Sequence, residues 1–220
     1  MQIAQIVTEP TIYASNKDSI AYLLDLMEDY KLAGLPIVDQ AHYMGYVLEA
    51  DLINFSDSSL ALPPAAIRHD PIFVYNNQHI YDALQISQHF ALDFIPVITA
   101  DQDYKGLLRP IDILKGLTAL SSGDELGAIL SLTLLKRDYS LSHLSHLIEN
   151  ENCKILSLAV QELPEEELLR LTLRLDTHQI EAVESALLRH NYTIEAQYHQ
   201  AEPSSDLGSR FENLMKYLQM

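Results

Sequence analysis

Two stretches of this chain are written to one pattern. Leu35 to Ile53 reads LPIVDQAHYMGYVLEADLI, and Ile95 to Leu114 reads IPVITADQDYKGLLRPIDIL. Each runs apolar–Pro–apolar–apolar, then a polar turn, then Gly–x5–Asp and an apolar pair. The offset is 60 between Pro36 and Pro96 but 61 for Gly45/Gly106 and Asp51/Asp112, so the second turn carries one inserted residue. The match reaches further back: Pro10, Ile12 and Asn16 meet Pro71, Phe73 and Asn77 at offset 61, and Ile20 and Leu24 meet Ile80 and Leu84 at offset 60. Such a period means a duplicated supersecondary unit. Neither copy is large enough to cover its own sheet, so the two are expected to pack face to face.

Within the first copy, Ile12–Ala14 reads as a short strand. A helix is expected to open at Ser15 or Asn16, with Ile20, Leu23, Leu24 and Met27 on its inner face. Leu35–Val38 and Tyr43–Leu48 read as strands, and a second helix runs from Ala50 to about Phe55. The connector SDSSLALPP follows, where Pro63 and Pro64 discourage helix. The order is strand–helix–strand–strand–helix, and the second copy restates it.

Beyond SSGDELG at 121–127 the pattern changes. Ala128–Leu135 is strand-like, LSHLSHLIEN is an amphipathic helix with Leu141, Leu144, Leu147 and Ile148 on one side, and Lys154–Glu162 is a strand before the turn LPEEE. Leu169, Leu171, Leu173 and Leu175 alternate with Arg170, Thr172 and Arg174, a half-buried strand. Thr177 is the expected cap of a helix carrying Ile180, Val183 and Leu187, and Tyr192–Tyr198 closes as a fourth strand. Strand–helix–strand–strand–helix–strand is the ferredoxin-like order. In the tail, Leu207, Phe211, Leu214, Met215 and Leu218 lie at helical spacing.

The chain has 220 residues, with a formal charge of −17. That charge divides as −9 over residues 1–120 and −8 over 121–220. An acidic surface of this kind lacks the clustered cations that nucleic acids or anionic membranes require. No apolar run reaches spanning length, and MQIAQIVTEP lacks the flanks of a signal peptide, so a cytoplasmic location is expected. The single cysteine, Cys153, is read as a structural thiol.

The segments TEPTIYASN…SI…LM…GLPIVD…GYVLEADL and RHDPIFVYNN…HI…AL…FIPVI…GLLRPIDIL resemble two CBS motifs forming one CBS pair, or Bateman module. With the ferredoxin-like order behind it, the chain is similar to CBS–ACT proteins of the acetoin-utilisation accessory type. The resemblance implies an α/β (α+β) fold: CBS motifs at 1–60 and 61–120, a linker at 121–127, an ACT-like βαββαβ domain at 128–200 and a tail helix at 201–220. It also implies adenine nucleotides or other adenosyl compounds, held in clefts between the motifs through Gly–apolar–x–Thr/Ser–x–x–Asp. Gly45 and Asp51, and Gly106 and Asp112, match that signature, but Leu48 and Arg109 stand at the Thr/Ser position. Leu48 cannot hydrogen-bond, whereas Arg109 offers a planar, charged fork to a phosphate. Arg68 and His69 are expected to add donors at the same end, so the cleft of Asp112 is the expected site. The ACT-like half has no Asp/Asn–x–x–Gly turn after its first strand, which favours dimerisation there over amino-acid binding.

A plainer reading stands beside this one. An aspartate in the first turn of a helix is favoured by the macrodipole with no ligand at all. His143 and His146, on one helix, have no third ligand at metal spacing, and Glu165–Glu167 looks like surface charge. No nucleophile, base and oxyanion site assembles, so the chain is not expected to be an enzyme or to require a cofactor. The expected function is a regulatory sensor: AMP, ADP, ATP or S-adenosylmethionine binds the CBS pair, and a homodimer transmits the occupancy. The alternatives are a ligand-free structural or dimerisation module, or an amino-acid-responsive ACT regulator.

Overall fold

In the first repeat, helix α1 (Ile20–Tyr30) buries Ile20, Leu23 and Met27. Strands β1 (Gly34–Asp39) and β2 (His42–Leu48) then pair antiparallel, and α2 (Glu49–Leu52) follows. The hairpin turns at Gln40 and Ala41, both at positive φ (49° and 74°), the primed geometry that suits the twist of the flanking strands. In the second repeat β3 (Val74–Tyr75) runs parallel to β4 (Ile95–Ile98), which pairs antiparallel with β5 (Tyr104–Leu108). Helices α3 (Ile80–Phe90) and α4 (Pro110–Leu120) flank them, with Pro110 at the first helical position of α4. These are the elements of a computed structural model that describes residues 1–7, 12–90, 92–121, 127–163 and 167–199.

Three local expectations are corrected. Of Ile12–Ala14, only Ala14 bridges, in parallel, to Ile37. α1 opens at Ser19, whose hydroxyl accepts from Tyr22 N–H, because the Ser15 hydroxyl is already spent in a turn, accepting from Lys17 N–H at 3.2 Å. α2 ends at Leu52 and not near Phe55, closing with the Phe55 N–H donating back to Leu52 O.

The repeats exchange their leading arms. Ser19 at the start of α1 bridges Ala61, while His79 at the start of α3 bridges Gln2. Ile20 N–H donates to Leu60 O at 3.0 Å, and the matching Ile80 N–H donates to Met1 O at 3.2 Å. The hairpin tips also meet: Tyr43 N–H donates to Gln102 O and Tyr104 N–H to Ala41 O. The cores follow the same weave. Leu62, Phe94 and Leu107 of the second repeat are buried with Leu23, Ile37 and Val47 of the first, and Ile3 with Val74, Ile80 and Val97.

The chain divides into two compact units, Met1–Leu120 and Ser121–Met220. In the second, β6 (Ala128–Leu135), α5 (Leu141–Asn150), β7 (Ile155–Leu163), β8 (Leu168–Leu175), α6 (Glu181–Arg189) and β9 (Thr193–His199) build an antiparallel sheet of order β7-β8-β6-β9. This is the ferredoxin-like, ACT-type arrangement. Leu169, Leu171, Leu173 and Leu175 of β8 are buried against Leu144 and Ile148 of α5 and Val183 and Leu187 of α6. Leu141 departs from its expected face and is exposed. Thr177 does not cap α6: its hydroxyl accepts from Gln179 N–H, and Ile180 holds the cap position with no side-chain bond. Most of the expected linker at 121–127, part of LPEEE and the whole expected tail helix lie outside the described residues. No helix among the described residues is long and apolar enough to cross a membrane.

Candidate ligand clefts

Gly45 and Gly106 sit at equivalent irregularities of their hairpins. The register shifts between Ile37 and Val38 opposite Gly45, and between Val97 and Ile98 opposite Gly106, where φ is 139° and 141°. The bulge turns β2 and β5 towards the helices that carry Asp51 and Asp112, each the third residue of its helix.

At the first cleft the arm that opens the second repeat lies antiparallel against β2. Arg68 N–H donates to Tyr46 O at 2.7 Å, and Tyr46 N–H returns to Arg68 O at 3.0 Å. Gly45 makes that approach possible, since a Cβ there would stand 2.3 Å from Arg68 O. The arm thereby delivers the Arg68 guanidinium to Asp51, with Nε on Oδ2 and Nη2 on Oδ1, both at 2.7 Å. This is the bidentate fork that matches a carboxylate. The hydrogen bond from Arg68 holds the Asp51 carboxyl below the usual carboxylate range, helped by the Leu48 N–H, and the same bond pushes Arg68 up. Both side chains remain partly open to solvent, 43% for Arg68 and 27% for Asp51. They line a cavity of about 440 Å³ whose remaining wall is mostly apolar, formed by Ala50, Phe55, Pro63, Ala65 and Ala66, with Asn54 as a further polar group.

The second cleft is built differently. Asp112 is 4% exposed, and its Oδ2 accepts from Arg109 N–H at 3.0 Å and from Arg109 Nε at 3.4 Å. The carboxylate thus closes the start of its own helix, the surviving half of a capping box. The short turn Ile3–Gln5 corresponds to Pro64–Ala66, and the residue matched to Arg68 at offset 61 is Val7. Arg68 and His69 therefore lie at the first cleft and not beside Arg109. The pairing of their arm with β2 decides it, and His69 Nδ1 is 3.0 Å from Met44 O. Asp51, Gly45, Arg68 and His69 come together at the first cleft, and Arg109 and Asp112 pair at the start of α4, just after the strand that carries Gly106.

Two tyrosines escaped the sequence reading. Tyr43 OH donates to Ile72 O at 3.5 Å, and Tyr104 OH, 61 residues on, donates to Ile12 O at 2.5 Å. Burial pushes both phenols up. Their shared offset was the available signal. Tyr46 OH also donates to Asp70 at 2.9 Å, beside the first cleft. In the second unit, a cavity of about 620 Å³ is bordered by Thr133, Asp138, His143, His190 and Tyr192. His146 lies apart from it, 3.2 Å from Asn150. Burial, joined by Asp176, pushes the Cys153 thiol up to about 11. No group of three metal-capable side chains occurs among the described residues.

Comparison with known proteins adds the following. Among solved structures, the chain is similar to a CBS domain pair/ACT domain protein from Thermotoga maritima, at 21% identity over 54% of this chain and 98% of that one, with a TM-score of 0.50. It is also similar to CBSX2 in complex with AMP (17% identity, 54% and 96% covered, TM-score 0.46). A third is a CBS domain pair in complex with 5′-methylthioadenosine and S-adenosyl-L-methionine (16% identity, 54% and 97% covered, TM-score 0.45). The family model for the CBS domain matches residues 3–58, the first repeat, and the chain has the fold of a CBS-domain pair followed by an ACT-type domain.

Proposed function

We propose that this chain is a non-catalytic regulatory protein that senses an adenosyl ligand in its CBS pair. The observation that carries the reading is the first cleft, where a carboxylate and a guanidinium share a cavity of about 440 Å³ with an apolar wall. A nucleotide has three chemical parts that suit it. An apolar wall suits the base, Asp51 accepts from hydroxyl donors such as the ribose diol, and Arg68 matches a phosphate. AMP, ADP and ATP have all three parts, and S-adenosylmethionine lacks the phosphate. Arg109, with 41% of its side chain exposed, gives the second cleft a phosphate contact of its own, with Asp112 and Gly106 shaping the helix start behind it.

Signalling would follow from linkage. A ligand shifts a two-state arrangement only by its differential affinity for the two states. Because the first cleft is walled by both repeats, occupancy there bears on how the repeats sit together, and a homodimer formed through the ACT-type unit would relay it. Calorimetry of the full chain with AMP, ADP, ATP and S-adenosylmethionine tests the reading. Heat and a raised melting temperature are expected for at least one of them, and neither response at millimolar ligand would sink it. A structural role is favoured by one observation at the second cleft, where the buried Asp112 carboxylate already has its partners.

A further inference from the structure

We infer that Arg68 is an internal competitor for Asp51, and that it makes the first cleft selective for phosphorylated nucleosides over neutral ones. The inference rests on the adenosyl reading of that cleft and concerns how its ligand is chosen.

Arg68 places one N–H on each oxygen of Asp51, both at 2.7 Å. A vicinal diol would present its two hydroxyls to the same two oxygens. The guanidinium and the diol therefore seek one docking edge, and a ligand that takes it displaces Arg68. A neutral nucleoside replaces two charge-assisted bonds with two weaker donors and leaves the guanidinium without its anion. A nucleoside phosphate brings an anion of its own: the diol goes to Asp51, the phosphate to Arg68, and no charge is orphaned.

The mounting of the side chain suits such an exchange. Its backbone is held on β2 by the two hydrogen bonds with Tyr46, 2.7 and 3.0 Å long, so the arm stays while the side chain turns. The pair is partly exposed, which keeps the cost of opening it modest. Arg68 belongs to the arm of the second repeat and Asp51 to the first, so the exchange replaces a direct bond between repeats with one made through the ligand. Among the described residues the second cleft has no equivalent. Val7 occupies the matched arm position, and Arg109 sits on the same helix start as the aspartate it faces.

The test is calorimetry on the full chain with adenosine and AMP, for the wild type and for Arg68→Met, Arg68→Lys, Asp51→Asn and Arg109→Met, with thermal unfolding as the check on folding. Wild type is expected to bind AMP roughly tenfold or more tightly than adenosine. Arg68→Met should bind adenosine several-fold more tightly than wild type and lose the preference for AMP. Arg68→Lys, which keeps the charge without the fork, should retain part of that preference. Asp51→Asn should weaken both ligands at the first cleft, and Arg109→Met, which removes only the second cleft's phosphate contact, should leave the effect of Arg68→Met on the preference intact.

If AMP binds wild type but Arg68→Met keeps the full preference and gains nothing for adenosine, the competitor role is overturned while the sensor reading survives. If AMP binding survives Asp51→Asn but is lost in Arg109→Met, the ligand sits in the second cleft and the inference is equally overturned. If no adenosyl ligand binds any form, the sensor reading falls and takes the inference with it.

Discussion

Gly45 holds φ at 139°, where an L side chain is strained, and an added Cβ would meet a backbone oxygen 2.3 Å away that cannot rotate aside. We expect Gly45→Ala to destabilise the first unit by roughly 1–3 kcal/mol, measured by urea unfolding. AMP binding should weaken alongside, because the arm carrying Arg68 must shift. Asp51 makes a prediction of opposite character, in pH. Its carboxyl is depressed in the folded chain, mainly by Arg68, so its contribution is complete above the ordinary carboxylate range near 4 and disappears as pH falls through the lowered value. Asp51→Asn should remove that part of the acid dependence, worth about 1 kcal/mol or less for so exposed a pair. Unfolding curves for the two proteins at pH 6 and pH 3 should therefore converge at the lower pH. The glycines and aspartates were legible in the sequence because each occurs twice at one spacing. The partner of Arg68 was not, since it is set by the register of an arm on β2, 17 residues from Asp51, and no local pattern encodes that register.

Helix and strand interiors followed their periodicity closely, most plainly in β8, where alternate leucines are buried and the residues between them are not. Helix starts did not. Ser15, Ser19 and Thr177 all have a hydroxyl able to cap, and only Ser19 accepts from the third residue of a helix. The other two close turns two residues long, a competition between neighbouring amides that side-chain type alone leaves open. Ser19→Ala should therefore cost about 0.5–2 kcal/mol in α1. Ser15→Ala, which removes an exposed turn bond and a long 3.4 Å bond to Asn16 Oδ1, should cost less than half as much in the same denaturant titration. If the two were equal, the cap would be misassigned.

Across the whole chain, the doubled stretch announced a paired fold, and the ferredoxin-like order of the last hundred residues was readable from element order. The exchange of arms was not, because both repeats look the same whichever partner each arm joins. It leads to a crossed prediction. Removing residues 1–5 should expose the Ile80 amide that opens α3, in the second repeat, while the Ile20 and Ala21 amides of α1 stay protected by Leu60 and Ser58. Hydrogen exchange on the truncated chain would show it, and loss of protection confined to α1 would contradict the exchange. The arms also bear on assembly. A chain of one repeat alone would have an arm with no place on its own body to dock, and it would close only against a second copy. The present chain is that dimer with its halves joined through residues 56–60, a bimolecular encounter turned into a loop closure. Continuity there supplies effective concentration, while Ser58 and Leu60 hold the start of α1 through their carbonyls, so halves severed ahead of Ser58 should still find each other, at a rate that rises with how much of each is present.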